Sequence, residues 1–152
     1  MNPYATHLPP LIAAVLYLKG NVVEMGSGHF STPILHEILK NTNRKLYTFD
    51  HDQSWLDNFL YLQTENHIIR LIQNWDDITV PSCDILFIDH APAKQRQKDI
   101  IKYKNTPIIV VHDTEDRNYH YDFCEFKYNK IYNKYKVTTT LISNHIDVNK
   151  II

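Results

Sequence analysis

Apolar and polar residues alternate along most of the chain in blocks that predict strands and helices in turn. Short runs of successive apolar residues predict buried strands, and they occupy residues 21–25, 45–50, 67–72, 85–88 and 106–111. Segments with apolar residues three or four positions apart predict helices, and they occupy residues 9–19, 34–39, 53–64 and 93–103. This alternation indicates a parallel sheet with helices on both faces.

The last part of the chain follows a different pattern. A segment rich in Tyr, Lys and Asn predicts a helix over residues 122–134, and the β-branched segment 136–143 predicts a strand. Asn144 and His145 predict a turn that brings residues 146–152 back as an antiparallel partner. The predicted fold is therefore α/β and doubly wound, with a mostly parallel Rossmann-like sheet and a C-terminal antiparallel hairpin at its edge.

Composition narrows the class of protein. A length of 152 residues without a repeat or linker predicts a single domain, 1–152. The net charge of −1 disfavours a sequence-specific nucleic-acid partner, because such binders usually carry a strong positive field.

Cys83 and Cys124 lack the spacing of a metal site and predict reduced thiols. The apolar run 11–18 is too short for a membrane span and lacks signal-peptide features, so we expect a cytoplasmic protein.

A turn with two glycines joins the first predicted strand to its helix. It reads Glu24-Met-Gly26-Ser-Gly28, and glycines in such a turn let a ligand approach the backbone closely. Ser31 stands where the dinucleotide-binding fingerprint requires a third glycine, which weakens an NAD interpretation. A glycine-containing turn without a ligand is the alternative.

An acidic residue, Asp50, ends the second predicted strand roughly 20 positions after Gly28. At this spacing a carboxylate accepts hydrogen bonds from both hydroxyls of a ribose. Aspartate is also a common turn former, so a purely structural role is the alternative.

Two strand ends carry the strongest chemical signal. Asp89 and His90 follow the fourth predicted strand, and His112 and Asp113 follow the fifth. Ligands of open α/β sheets bind at the carboxyl ends of the strands, so these pairs are candidate catalytic groups. Helix capping by the aspartates and packing of the histidines is the alternative.

Several other polar residues have simpler interpretations. The segment 4–7 either folds over the glycine turn or frays as a chain terminus. The cations of the fourth predicted helix are expected on a solvated face, and they are Lys94, Arg96 and Lys98. We assign no functional role to the isolated histidines His7, His36, His67, His120 and His145.

The Glu-x-Gly-x-Gly turn followed by Asp50 resembles the first motif of the class I S-adenosylmethionine (SAM)-dependent methyltransferases. The resemblance implies a Rossmann-like sheet that ends in an antiparallel hairpin. It also implies SAM as cofactor, bound by Glu24, Gly26, Ser27, Gly28, Asp50, His51, Asn74, Trp75 and Asp76.

The strand ends at Asp89 and His112 are similar to those of the small-molecule O-methyltransferase branch. This resemblance implies Mg²⁺ held by Asp89, Asp113 and Glu115, where it would lower the pKa of a substrate hydroxyl. Without a metal, His90 or His112 would be the general base, because an imidazole titrates near neutral pH. The match is partial, since His90 directly follows Asp89. The Asn-Pro-Pro-Tyr motif of many nucleic-acid methyltransferases is absent.

The sequence therefore predicts a SAM-dependent O-methyltransferase with a small hydroxylated metabolite or sugar as substrate. One alternative is a non-catalytic cofactor-binding or partner subunit with the same fold. Another is a metal-dependent hydrolase that uses the Asp and His residues at the strand ends. A homo-oligomer is compatible with the sequence.

Overall fold

A seven-stranded sheet forms the centre of the computed structural model, which describes residues 2–115 and 119–152. Its strand order is β3-β2-β1-β4-β5-β7-β6. The strands are β1 (Val22–Met25), β2 (Leu46–Asp50), β3 (His67–Leu71), β4 (Ile85–Ile88), β5 (Ile108–His112), β6 (Tyr128–Tyr132) and β7 (Thr139–Ser143). The first five strands pair in parallel, whereas β7 runs antiparallel to both β5 and β6. The predicted fold class is confirmed.

The strand order creates a crevice at one edge of the sheet. The chain moves outward from β1 through β2 to β3 and then crosses back to place β4 on the other side of β1. Connections at the carboxyl ends of β1 and β4 therefore leave in opposite directions and open a gap. The glycine turn follows β1, and the Asp89-His90 pair follows β4.

Helices cover both faces of the sheet. The helices are α1 (Leu8–Tyr17), α2 (Ser31–Leu39), α3 (Gln53–Leu56) and α4 (Ala93–Lys102). Residues of α1 and α2 pack with Val22 and Phe87 in one apolar cluster. Ile100 of α4 packs with Val23 in another cluster. Neighbouring strand residues belong to different clusters because successive side chains point to opposite faces.

The helix predicted over residues 53–64 is much shorter in the structure. Asp52 caps it by accepting a hydrogen bond from the backbone amide of Trp55, and α3 ends at Leu56 before a 3-10 turn at Leu60–Leu62. The Asn58 side-chain amide donates to the carbonyls of Ser54 (3.2 Å) and Trp55 (2.9 Å). This side chain takes carbonyls that a longer helix would use for its own ladder.

The prediction of a helix over residues 122–134 is wrong. Residues 128–132 form strand β6 instead, with Asn129 and Ile131 exposed between partly buried neighbours. Its partner β7 supplies a complete antiparallel ladder along this segment. Pairing with that strand outweighs the local pattern, and tyrosine is favoured in strands.

The predicted pairing of the C-terminal hairpin is also wrong. Segment 146–152 does not pair with β7, whose two neighbours are β5 and β6. The Ser143 hydroxyl accepts from the amides of His145 (2.9 Å) and Ile146 (2.8 Å), which turns the chain out of the sheet. Ile146 and Ile151 then pack against the α1 side of the core. Among the described residues, no helix has the length and apolar character of a membrane span.

Candidate functional site

A cavity of about 560 Å³ lies at the carboxyl ends of β1 and β4. Its volume is typical of small-molecule and cofactor sites. Nine of the residues predicted as site residues line it, namely Gly26, Ser27, Gly28, Asp50, His51, Asp89, His90, His112 and Asp113. The structure thus brings together the glycine turn and both Asp-His pairs, although they come from distant parts of the sequence.

The glycine turn is held close to the end of β4. Gly26 has a φ of 97°, a conformation that residues with a side chain rarely adopt. A Cβ atom at this position would lie 2.6 Å from the Cα and the backbone nitrogen of His90. Gly26 therefore permits both the turn itself and the contact between β1 and β4.

Asp50 braces the same turn from β2. Its Oδ2 accepts hydrogen bonds from the backbone amide (2.8 Å) and the hydroxyl (2.7 Å) of Ser27. Its Oδ1 accepts from the amides of His51 (2.8 Å) and Asp52 (3.2 Å). The carboxylate lies in the cavity wall and fixes two loops. A ribose hydroxyl that binds Asp50 Oδ2 would replace the Ser27 hydroxyl.

Asp89, His112 and Arg96 form a charged group on the opposite side of the cavity. Asp89 Oδ2 lies 3.2 Å from His112 Nδ1, and Asp89 Oδ1 lies 3.0 Å from an Arg96 nitrogen. Arg96 also reaches Asp113 at 3.2 Å. Its guanidinium donates to the carbonyls of Asp89 and His90 as well. The buried Arg96 guanidinium thus contacts both carboxylates at the strand ends.

These contacts change the pKa of each member of the group. Burial alone would raise the pKa of Asp89, but His112 and Arg96 hold it below its ordinary value. Burial alone would lower the pKa of His112, but its hydrogen bond to Asp89 and the charge of that carboxylate raise it. The pair therefore favours an ionised carboxylate beside a protonated imidazole.

Several solved structures with the same architecture are described as methyltransferases. No protein-family model and no curated protein sequence matches the chain. The O-methyltransferase TomG of Streptomyces achromogenes, in complex with SAM, is 15% identical, with 93% of this chain and 79% of that chain covered and a TM-score of 0.65. An O-methyltransferase of Bacillus cereus in complex with S-adenosyl-homocysteine (SAH) is 13% identical, with 94% of this chain and 82% of that chain covered and a TM-score of 0.62. TrmK of M. capricolum, in complex with SAH, is 14% identical, with 89% and 66% covered and a TM-score of 0.56. The chain has the Rossmann-like methyltransferase fold. Identities this low establish the fold and leave the substrate open.

In this methyltransferase fold, Glu24 is completely buried and does not line the cavity. Its Oε2 accepts from the hydroxyls of Thr32 (2.9 Å) and Thr48 (2.8 Å). The Thr32 hydroxyl in turn accepts from the amide of Gly28 at 2.9 Å. The predicted contact of Glu24 with the cofactor is therefore corrected to an indirect role through Thr32. Complete burial raises the pKa of Glu24 from 4.5 to about 7.

Because of this raised pKa, the substitution Glu24→Gln is expected to have a pH-dependent effect on stability. Between pH 4.5 and about 7 the folded chain keeps a proton that the unfolded chain loses, so this group lowers the free energy of unfolding as pH rises. The total change is about 3 kcal/mol. Glutamine does not titrate, so the stability difference between variant and wild type should shift by that amount in favour of the variant.

Urea unfolding of both proteins at about pH 5 and about pH 8 measures this shift. Comparing the two proteins at each pH removes the contribution of every other titrating group. Thr42→Val, at a half-buried turn without a titrating side chain, is the control and should show no such shift. An equal difference at both pH values would contradict the assignment of the titration to Glu24.

The loop predicted to hold adenine lies behind the cavity wall. Trp75 is 3% exposed and stacks on His90 at 4.1 Å between ring centroids. Its indole nitrogen donates to the carbonyl of Ala91, a residue that does line the cavity. Asn74 caps a 3-10 turn, and Asp76 accepts a hydrogen bond from Gln95. The structure therefore corrects the predicted direct contacts of Asn74, Trp75 and Asp76 with the cofactor.

His90 is not placed as a general base. Its Nε2 lies 2.9 Å from Asp99 Oδ2 in a buried hydrogen bond, with side-chain exposures of 0% and 1%. Its ring packs between that carboxylate and Trp75. The Asp89–His112 pair lies in the cavity wall and is the remaining candidate of the predicted acid–base residues.

The predicted Mg²⁺ ligands do not fit that ion. Glu115 accepts from the amide (2.8 Å) and the hydroxyl (3.0 Å) of Thr138 and is not among the cavity residues. Asp89 and Asp113 share the Arg96 guanidinium, which already supplies the positive charge. Magnesium favours several oxygen ligands, and with Glu115 bound to Thr138 only the two carboxylates that share Arg96 remain.

Eight cavity residues were not among the predicted site residues, and they include Tyr4, His7 and Trp55. Segment 4–7 lies against the cavity, with His7 buried, so the fraying alternative is excluded for His7. Trp55 donates its indole hydrogen to the Ser27 carbonyl at 2.8 Å.

Proposed function

We propose that the protein is a SAM-dependent methyltransferase that methylates a hydroxyl oxygen of a small metabolite or sugar. The observation that carries the proposal is that one cavity is lined by two chemically different groups of residues. One wall is the glycine turn with Asp50, and the other is the Asp89–His112 pair. The first suits an adenosine-containing cofactor, and the second suits an acceptor with a proton to lose.

Bound SAM would supply a methyl group on a positively charged sulfur. In the reaction the S–CH₃ bond breaks and an O–CH₃ bond forms, giving SAH and a methylated product. Asp89 would orient the acceptor hydroxyl by accepting its hydrogen bond, and in molecules whose His112 imidazole is neutral the Asp89–His112 pair would take up the proton. Positioning the two reactants in line supplies most of the acceleration expected for such a transfer.

The proposed reaction has no role for Mg²⁺. Arg96 is 6% exposed and holds Asp89 and Asp113 in place. A guanidinium in a fixed fork is well suited to this task because it stays charged at every physiological pH. We expect added MgCl₂ to leave the rate of methyl transfer unchanged.

Isothermal titration with SAM, SAH and NAD tests the cofactor part of the proposal. We expect micromolar binding of SAM and SAH, no binding of NAD, and no dependence on Mg²⁺. Binding of NAD in preference to SAM, or of neither, would overturn it. Cofactor binding without transfer to any hydroxylated acceptor would instead favour a non-catalytic cofactor-binding subunit.

The variant Asp89→Asn tests the catalytic part. Loss of a general base lowers kcat by about 100-fold or more, whereas SAH affinity should stay within about threefold because Asp50 and the glycine turn are untouched. Glu115→Gln is the matched control, since that carboxylate contacts Thr138 outside the cavity. Equal activity of Asp89→Asn and wild type would remove Asp89 from the mechanism.

A further inference from the structure

Three side chains of metal-binding type meet at the cavity wall. His7, Asp89 and His112 each present one ligand atom, and these atoms lie within 4.8 Å of one another. They come from the start of α1, the end of β4 and the end of β5. All three also line the cavity, so an ion bound here would be accessible to a ligand.

His7 has no visible partner for its polar atoms. It is 3% exposed, and among the described residues neither ring nitrogen has a hydrogen-bond partner. An unpaired buried polar group is unfavourable, and a bound ion would give this side chain the partner that it lacks. Burial lowers the pKa of this histidine to about 4, so its imidazole is neutral and keeps a lone pair.

His112 already has the support that a ligating histidine needs. The Thr6 hydroxyl donates its one proton to the Pro3 carbonyl at 3.1 Å. At the 3.1 Å contact between Thr6 and His112 Nε2, the imidazole must therefore be the donor. Histidine ligands usually donate their second ring N–H in this way, which leaves Nδ1 for the metal.

The remaining geometry also suits an ion. His112 Nδ1 and Asp89 Oδ2 are 3.2 Å apart. With metal–ligand bonds of about 2.1 Å, this separation corresponds to an angle of about 100° at the metal, close to a tetrahedral arrangement. Arg96 is bound to the other carboxylate oxygen of Asp89, so Oδ2 stays available.

We propose that His7, Asp89 and His112 bind a divalent transition-metal ion, Zn²⁺ in the first place, with an open coordination position toward the cavity. Two imidazoles and one carboxylate are typical of zinc sites that keep a position for water or substrate. Imidazole ligands favour transition metals over Mg²⁺. The site differs from the predicted Mg²⁺ set, because Asp113 and Glu115 take no part.

The role that we propose for the open coordination position is to bind the acceptor hydroxyl, and this role rests on the proposed methyl transfer. An acceptor hydroxyl bound there would lose its proton more readily. The ion would then replace the proton shared by Asp89 and His112, so the same pair of atoms holds either a proton or a metal.

Metal titrations of the chelator-treated protein test the site. We expect ZnCl₂ to bind with one equivalent and micromolar or tighter affinity, CoCl₂ to give the visible bands of a four- or five-coordinate ion, and MgCl₂ to give no binding. Loss of an outer partner of a ligand typically costs 10–100-fold in affinity. His7→Ala and His112→Ala should therefore each weaken Zn²⁺ binding by more than about 100-fold, and Thr6→Val by about tenfold.

His145→Ala is the matched control, since this histidine is exposed and is not part of the cluster. It should bind Zn²⁺ as the wild type does. Unchanged affinity in His7→Ala, or the absence of a one-equivalent site, would overturn the proposal. Long-range ¹⁵N spectra of the histidines in the wild-type protein need no variant, and a Zn²⁺ response confined to the exposed histidines would also overturn it. SAH titration of the metal-free protein reports on the cofactor site separately.

Discussion

Gly26→Ala is expected to abolish SAH binding and to lower the free energy of unfolding by about 2–5 kcal/mol. A residue with a side chain at a φ of 97° is strained by roughly 1–2 kcal/mol. The new methyl group would also lie 2.6 Å from backbone atoms of His90, and these cannot rotate away. Separating β1 from β4 to relieve that contact adds about 1–3 kcal/mol and distorts the cavity.

Gly28→Ala is the matched control, two residues along the same turn. Its φ is not in the left-handed region, and its Cβ would meet only the Ser31 hydroxyl, at 3.0 Å. Because that side chain can rotate, we expect a loss of stability below about 1 kcal/mol. Urea unfolding and titration with SAH measure both effects. If the two variants lost equal stability, the close approach of Gly26 to β4 would not explain its role.

The central fold was predictable because its signals are local. Runs such as Ile85–Ile88 are apolar at successive positions, which only a strand buried on both faces requires. Gly26 and Asp50 were identifiable for a similar reason, since the turn and the strand end impose particular residue types at fixed spacing. These positions were predicted without knowledge of any long-range contact.

The misassigned elements depend on partners that the local sequence does not reveal. β6 is a strand because β7 lies beside it, and α3 is short because the Asn58 side chain competes for its carbonyls. Arg96 was expected on a solvated face, yet it is buried under the ends of β4 and β5. A single cation in a polar helix carries no mark that distinguishes these two environments.

The candidate site was predicted in part for the same reason. Asp89 and His112 follow strand signals, whereas His7 joins them only through tertiary contacts across most of the chain. The predicted adenine contacts failed because Trp75 is large and apolar enough to be drawn into the core beside His90. Chemistry at strand ends can thus be predicted from sequence, but the residues that pack around it cannot.

Asp50→Ala is expected to weaken SAH binding by at least about 100-fold. This is the second large effect that we expect, after that of Gly26→Ala. The substitution removes a carboxylate that accepts two hydrogen bonds from Ser27 and two from the following loop. Hydrogen bonds to a charged group contribute about 1.5–3 kcal/mol each, so the loss of a ribose contact together with the brace exceeds a factor of 100. Asp50→Asn should lose nearly as much, because its amide nitrogen cannot accept.

Two further variants separate direct binding from bracing. Ser27→Ala frees one lone pair of Asp50 Oδ2 and keeps the backbone contact, so SAH affinity should stay within about threefold of wild type. Asp52→Ala removes a cap of α3 that also lines the cavity, and we expect only a small loss of affinity. A loss of affinity in Ser27→Ala as large as that in Asp50→Asn would show that Asp50 acts only by holding the turn. Retention of affinity in Asp50→Ala, with the circular dichroism spectrum unchanged, would place the cofactor elsewhere.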